Sequence, residues 1–260
     1  MAESVQTGLI QATQVARDTV LQQAPNGLHY ASYGDTNIAA PDLARMVQAV
    51  PTTIAAALSR KAYYFVPLAM SETKPDPVAD AKSEVMISSA YTPDLSEHAI
   101  CHRNVNLGSS EGIFISTRLL GDRFALAFEF FINVGHAFVD AVGVPDSFTE
   151  AVWTQAVADV RGETSQDAWE SRALSLPAAS VDAKPRIDEK AKTNYIESAF
   201  SDAVAIYLLS LSVDFDYSEL REREYPLLAP QPLAERLRLV AKLFPPNPTY
   251  EFAIRYRRRA

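Results

Sequence analysis

Four polar side chains interrupt an apolar run, and their spacing is the part of the chain that could do chemistry. Between Phe124 and Val139 most residues are apolar, yet Glu129, Asn133, His136 and Asp140 recur four, three and four positions apart. On a helix that spacing aligns all four on one stripe. An imidazole, two carboxylates and a carboxamide so aligned can share protons, ligate a metal or line a polar cleft. Each such group left bare in a core costs roughly 1–3 kcal/mol, so the stripe must meet hydrogen-bond partners, a metal or water. A core histidine bonded to Asp140 or to a carbonyl satisfies this requirement as well as a cleft does.

A second polar group lies upstream in Ser96-Glu97-His98-Ala99-Ile100-Cys101-His102. His98 and His102 are i, i+4, so on a helix they share a face as two metal ligands would, and Cys101 lies i+3 from His98. With His136 they supply three of the four histidines. A loop carrying these residues on the surface fits the same letters. Cys101 could act as a nucleophile with His102 or His136 as base, provided a helix N-terminus or a cation depresses its pKa. Gly108-Ser109-Ser110-Glu111-Gly112 lacks the lysine and the spacing of a phosphate-binding loop.

The third polar set is Tyr195, Ser198 and Asp202, three and four apart within the apolar segment 193–212, with Glu197 beside them. Two apolar helices, each with one polar stripe, can satisfy one another or enclose a cleft. In the packed reading, Asn133, His136, Asp140 and Asp202 form a hydrogen-bonded network between them.

Ile132-Asn133-Val134-Gly135-His136-Ala137-Phe138-Val139-Asp140 resembles the active-site helix of zincin metallopeptidases, H-E-x-G-H-A-x-x-D, with Ile132 at the first histidine and Asn133 at the glutamate. Tyr195 to Leu209 is similar to the second zincin helix, E-x-F-A-E-A-F, as in the catalytic-domain family of anthrax lethal factor, a gluzincin-like group. The resemblance spans residues 112–209 as a zincin-like core. It implies that His136 stands at the second histidine, that the ligand glutamate falls near Ser198 with Glu197 one step away, and that Asp202 replaces a later glutamate. It also implies that standard zinc-peptidase chemistry is lost. Ile132 offers no ligand and Asn133 no general base.

The expected function is therefore that of a catalytically degenerate zincin-like protein. Its former active-site cleft, drawn from Glu129, Asn133, His136, Asp140, Tyr195, Glu197, Ser198 and Asp202, would bind a peptide or small molecule without a cofactor. One alternative is an enzyme rebuilt around His136, His98 and His102, with zinc or without it, and with Glu129 available. Another is a structural or interaction protein whose stripes only satisfy each other.

Around these motifs the sequence predicts an α+β chain, mainly helical, with a small mixed sheet and one domain over residues 1–260. The N-terminal stretch Glu3 to Gln23 has helical spacing, and Pro41 to Leu58 predicts a helix broken or kinked at Pro51. Lys61 to Val66, Val85 to Tyr91 and Gly112 to Leu119 read as strands, the last at the position where zincins have an edge strand above the cleft. Ser71 to Glu84 reads as an exposed loop. Ser147-Phe148-Thr149-Glu150 fits a capping box opening a helix to about Val160. Residues 161–192 read as a long loop, with at most a short helical piece near Trp169, lying over or beside the cleft. Leu233 to Leu243 is an amphipathic helix before Pro245-Pro246, and Thr249 to Ile254 is a last short extended or helical piece.

A 260-residue chain that is 48% hydrophobic and 22% charged can bury a core. Its formal net charge of -8 argues against nucleic-acid and anionic-membrane partners, and the one basic cluster is Arg255 with Arg257, Arg258 and Arg259. A single cysteine requires no oxidising compartment. With no signal-peptide pattern and no uninterrupted apolar span, the expectation is cytoplasmic, with no membrane partner.

Overall fold

A computed structural model describes residues 8–71, 85–118, 123–176, 187–220 and 225–255. The predicted loop 72–84 and Arg257 to Arg259 lie outside the described residues, as does 177–186 of the predicted long loop. The fold is α+β, with 51% of the described residues helical and 18% in strands. The chain divides into two compact units, residues 1–130 and 131–260.

The first unit runs β1 (Leu9–Gln11), α1 (Ala12–Asp18), β2 (Gln22–Gln23), β3 (His29–Ser32), α2 (Ala40–Gln48), α3 (Thr52–Ala57), β4 (Lys61–Val66), β5 (Leu68–Ser71), β6 (Val85–Ser88), α4 (Pro93–Ser96), β7 (Ala99–Ile100), β8 (His102–Asn106) and β9 (Glu111–Ser116). One sheet has the order β2-β3-β4-β9-β8; β3, β4 and β9 are parallel and the two outer strands pair antiparallel. The other is antiparallel, β1-β6-β5-β7. The step from β3 to its parallel neighbour β4 is made by α2 and α3, the kind of crossover that parallel pairing requires. Pro51 separates these two helices, as its missing N–H predicts.

β4 is apolar on both faces because it is buried on both faces, as central parallel strands are. Tyr64 stacks on its register partner Phe114 at 4.7 Å, and Tyr63 meets Phe130 edge-on at 5.0 Å. Such pairs contribute roughly 0.5–1.5 kcal/mol beyond area burial. Pro67, which has no ladder donor, ends β4, and β5 starts at once in the other sheet.

Several expectations are corrected here. Residues 9–23 form two short strands around a seven-residue helix rather than one long helix. Gln11 and Thr19, which flank that helix, both hold extended backbone. β9 is not an edge strand, since β8 covers its outer side. His98 and His102 do not share a helix face: α4 ends at Ser96, and β7 and β8 follow.

A single helix, α5 (Arg123–Val142), crosses the division between the units. Among the described residues it alone is long and apolar enough to cross a membrane, and 56% of its most apolar window is buried in the protein.

The second unit continues with α6 (Asp146–Val157), α7 (Gln166–Ser175), α8 (Glu189–Ser212), a 3-10 helix (Tyr217–Leu220) and α9 (Pro230–Leu243). The predicted capping box does not form. Pro145, preset at φ -62°, is the N-cap residue, so the helix opens at Asp146 and Ser147 already lies inside its first turn. Residues 161–192 are not one loop: the helical piece expected near Trp169 is α7, which occupies ten of them. Residues 251–255 have neither helix nor strand.

α5 and α8 approach closely at Gly135. A Cβ there would sit 2.6 Å from the Ser201 carbonyl oxygen, so only glycine permits this separation. Phe138 and Phe200 face each other beside it, at 6.3 Å. Gly135→Ala is expected to destabilise the chain by about 1–3 kcal/mol despite alanine's better helix propensity, read as a lower urea midpoint.

Candidate functional site

Some of these groups converge on a cleft between α5, α7 and α8, whose lining residues all belong to the second unit. Its volume is about 360 Å³, and its lining includes His136, Val139 and Asp140 from α5, Asp167, Glu170, Ser171 and Leu174 from α7, and Asn194, Glu197 and Ser198 from α8. Of the residues the sequence singles out, His136, Asp140, Glu197 and Ser198 are therefore brought together. His136 and Asp140 are exposed, so this half of the α5 stripe faces water rather than sealing a core. Helical spacing explains the grouping: one turn separates His136 from Asp140 and another separates Asn194 from Ser198.

The others lie elsewhere. Asn133 is buried. Glu129, in the first unit, pairs with His102 Nδ1, and that pair is half-exposed. Cys101 is exposed, and its thiol is pushed above the ordinary value by partial burial and by the Glu129 carboxylate. That is the reverse of what activates a cysteine nucleophile. Among the described residues no three His, Cys, Asp or Glu side chains group so as to hold a metal ion.

Asp202 sits one turn beyond Ser198 on α8, and of the network expected with Asn133, His136 and Asp140 it has an electrostatic interaction with His136. Thr164 Oγ1 donates to its Oδ2 at 2.7 Å, and the Ser165 hydroxyl is a second partner. Ser165 in turn caps α7 by accepting from Ala168 N at 3.2 Å. Burial pushes the Asp202 carboxyl up to about 6, against the opposing pull of the two hydroxyls, His136 and Arg236. Water exclusion thus outweighs every stabilising partner.

Tyr195 belongs to a different assembly, which the sequence reading missed. Its hydroxyl donates to Glu163 Oε1 at 2.7 Å. Glu163 is 0% exposed and also accepts from Arg172 Nη1 at 3.2 Å and Arg236 Nη1 at 2.9 Å. Arg236 Nε donates to Gln155 Oε1 at 2.8 Å, and Arg172 Nη1 reaches the Val160 carbonyl at 2.6 Å. Burial and Glu163 both keep the Tyr195 hydroxyl protonated, by raising its pKa beyond the ordinary value.

Backbone bonds fix the same segment. Glu163 N donates to Pro226 O at 3.0 Å, and Leu228 N to Glu163 O at 2.9 Å. Gly162 has φ +81°, and a Cβ on it would meet Leu227 O at 2.1 Å.

Two signals in the sequence point to these residues. Ser165 followed by Asp167 in the first turn and Arg172 in the last is a helix signature. Arg236 stands on the apolar face of α9 with Leu233, Leu237 and Val240, where a charge demands a buried partner.

No protein-family model matches the chain, and no curated protein matches it.

Two predictions follow the chemistry. Glu163→Ala leaves Arg172 and Arg236 buried without their carboxylate and should cost about 3–5 kcal/mol in chemical denaturation. For Asp202 the folded value lies above the ordinary 3.8, so native protein holds this proton more tightly than unfolded chain. Its stabilising contribution is complete below about pH 4 and is lost as pH rises through about 6. Asp202→Asn, free of that loss, should gain stability relative to the parent across this window in paired urea titrations.

Proposed function

We propose that the chain is a catalytically degenerate zincin-like protein that uses the α5–α7–α8 cleft to bind a peptide or small molecule, and that it works in the cytoplasm. The observation that carries this reading is that His136 and Asp140 from one motif and Glu197 and Ser198 from the other line one open cleft. Ile132 and Asn133 stand where hydrolysis by the zincin route needs a ligand and a base.

The lining indicates the ligand's charge. Among the described residues, Asp140, Asp167, Glu170 and Glu197 line it with His136, and no lysine or arginine does. Carboxylates grouped in this way favour a cationic guest, such as a lysine- or arginine-bearing peptide or a small polyamine. Val139 and Leu174 supply apolar contact for an aliphatic stem.

One observation favours a second reading, acid–base catalysis in the same cleft. Asp202, held near neutrality by burial, interacts electrostatically with the solvent-facing His136. The binding reading is preferred because Asp202 is not among the residues that line the cleft.

Titration of a lysine-containing hexapeptide into isotope-labelled protein tests the proposal. Shifts are expected to cluster at His136, Ser171, Asn194 and Glu197, and the affinity should fall roughly five- to tenfold in Asp140→Asn/Glu197→Gln and in high salt. An acidic peptide of equal length binding as well, or shifts outside the cleft only, would overturn it. Turnover of the peptide, abolished by His136→Gln, would move the second reading ahead.

A further inference from the structure

Where the parallel strands of the first unit end, two buried polar atoms have no partner. β3, β4 and β9 run parallel and stop side by side at Ser32, Val66 and Ser116, so the segments after them meet along one edge of the sheet. Side chains on such segments are the usual binding groups of parallel sheets, because the sheet holds them in place. Backbone bonds knit these segments together. Tyr33 N donates to Phe65 O at 3.0 Å, Thr117 N to Val66 O at 2.8 Å and Arg118 N to Pro67 O at 3.2 Å. Thr117 Oγ1 donates to Thr36 O at 3.1 Å. The turn after β6 joins them through Asp35 N, which donates to Ser89 O at 3.0 Å.

Arg118 stands in this corner with its donors barely used. Its guanidinium carbon lies 5.8 Å from the centroid of the Tyr91 ring. A ring over the face of a guanidinium leaves its in-plane N–H groups available. Among the described residues its ion-pair partner is Asp35, reached by Nη2 at 3.5 Å, and that carboxylate is 70% exposed. Firm charge-assisted bonds run to about 2.7–2.9 Å, so this pair is weak. Nε, which shares an edge of the guanidinium with Nη2, is buried and has no acceptor. The Thr92 hydroxyl, one residue beyond Tyr91, is likewise buried without a partner, so two of the four such atoms among the described residues belong to this corner.

Native structures supply nearly every buried donor with an acceptor from protein, water or an ion. A guanidinium only donates, so what Arg118 lacks is an acceptor, and its charge favours an anion. We propose that this corner binds an oxyanion, the carboxylate or phosphate group of a small ligand, which takes the Nε–Nη2 edge of Arg118 in two parallel bonds and displaces Asp35 from it. The Thr92 hydroxyl is a further donor from the adjoining turn. Because Tyr91 covers the guanidinium face and Asp35 is exposed, the ligand arrives from the Asp35 side. The corner lies in the first unit and is independent of the cleft.

The test is titration of the full chain with inorganic phosphate and, separately, with acetate, followed by NMR at Arg118 Nε–H and at the amides of Asp35, Tyr91 and Thr117. Saturable shifts at these positions are expected in the millimolar range, and the tighter probe tells which anion class the corner favours. Arg118→Lys keeps the charge but loses the two-donor edge, and should weaken binding roughly five- to tenfold. Asp35→Asn should tighten it roughly two- to fivefold, since the competing charge is removed while an oxygen is kept for Asn37 N. This exposed substitution carries the test if Arg118→Lys does not fold. Shifts that fail to saturate or lie elsewhere, binding unchanged in Arg118→Lys, or binding no tighter in Asp35→Asn would each overturn the site. None of these residues lines the cleft, so failure here leaves the cleft's binding role standing.

Discussion

The second unit depends on one buried carboxylate. Glu163 is held by Arg172 of α7, Arg236 of α9 and Tyr195 of α8, and Arg236 extends the set to Gln155 of α6. One anion thus ties four helices to the segment that precedes α7. Removing such charges from water costs several kcal/mol per ion, and their mutual attraction roughly returns it. The gain is therefore specificity of arrangement more than stability. Only one placement of α7 and α9 gives all three donors to Glu163, and any other leaves a buried guanidinium unpaired.

That placement is what allows a cleft to exist. α5 and α8 are drawn together at Gly135, where nothing larger than hydrogen fits against Ser201. Two helices in such contact would by themselves leave no cleft between them. α7, positioned by Arg172 at one end and by the Ser165 cap at the other, stands alongside and supplies the third wall. The first unit solves a different problem with different means. There, β4 pairs along both edges with the parallel strands β3 and β9, and aromatic pairs such as Tyr64 and Phe114 fill the space over the sheet.

What was legible in the sequence follows from range. Periodicity is local, so α5, α8, β4 and β9 could be read from their own residues, as could the break at Pro51. The convergence of His136, Asp140 and Ser198 was legible as two stripes on two apolar helices, whereas Glu197 lies beside the second stripe and Tyr195 and Asp202, which belong to it, do not line the cleft. The Glu163 assembly was not, because its partners lie 9, 32 and 73 residues away and no local pattern links them. The polar stretch 161–192 reads as a loop because its charges look solvated. Arg172 and Glu163 are in fact polar because they are buried together. The i, i+4 spacing of His98 and His102 misled in the opposite way, since it has meaning only on a helix and this segment turns into strands.

Chain continuity then couples the core to the cleft. Glu163, Thr164 and Ser165 are consecutive: the first anchors the ion network, the second donates to Asp202 and the third caps α7. Successive residues in extended backbone point in different directions, so three neighbours can serve three separate partners. The arrangement also means that a change at Glu163 cannot be a change in stability alone. Shifting its backbone by a fraction of an ångström would move the Thr164 hydroxyl away from Asp202, and hydrogen bonds weaken steeply with poorer geometry. Asp140 and Glu197 differ in kind: they are exposed and they face the cleft. Ligand recognition can therefore change at those two positions with little cost to the fold, while the segment 163–165 is constrained by both at once.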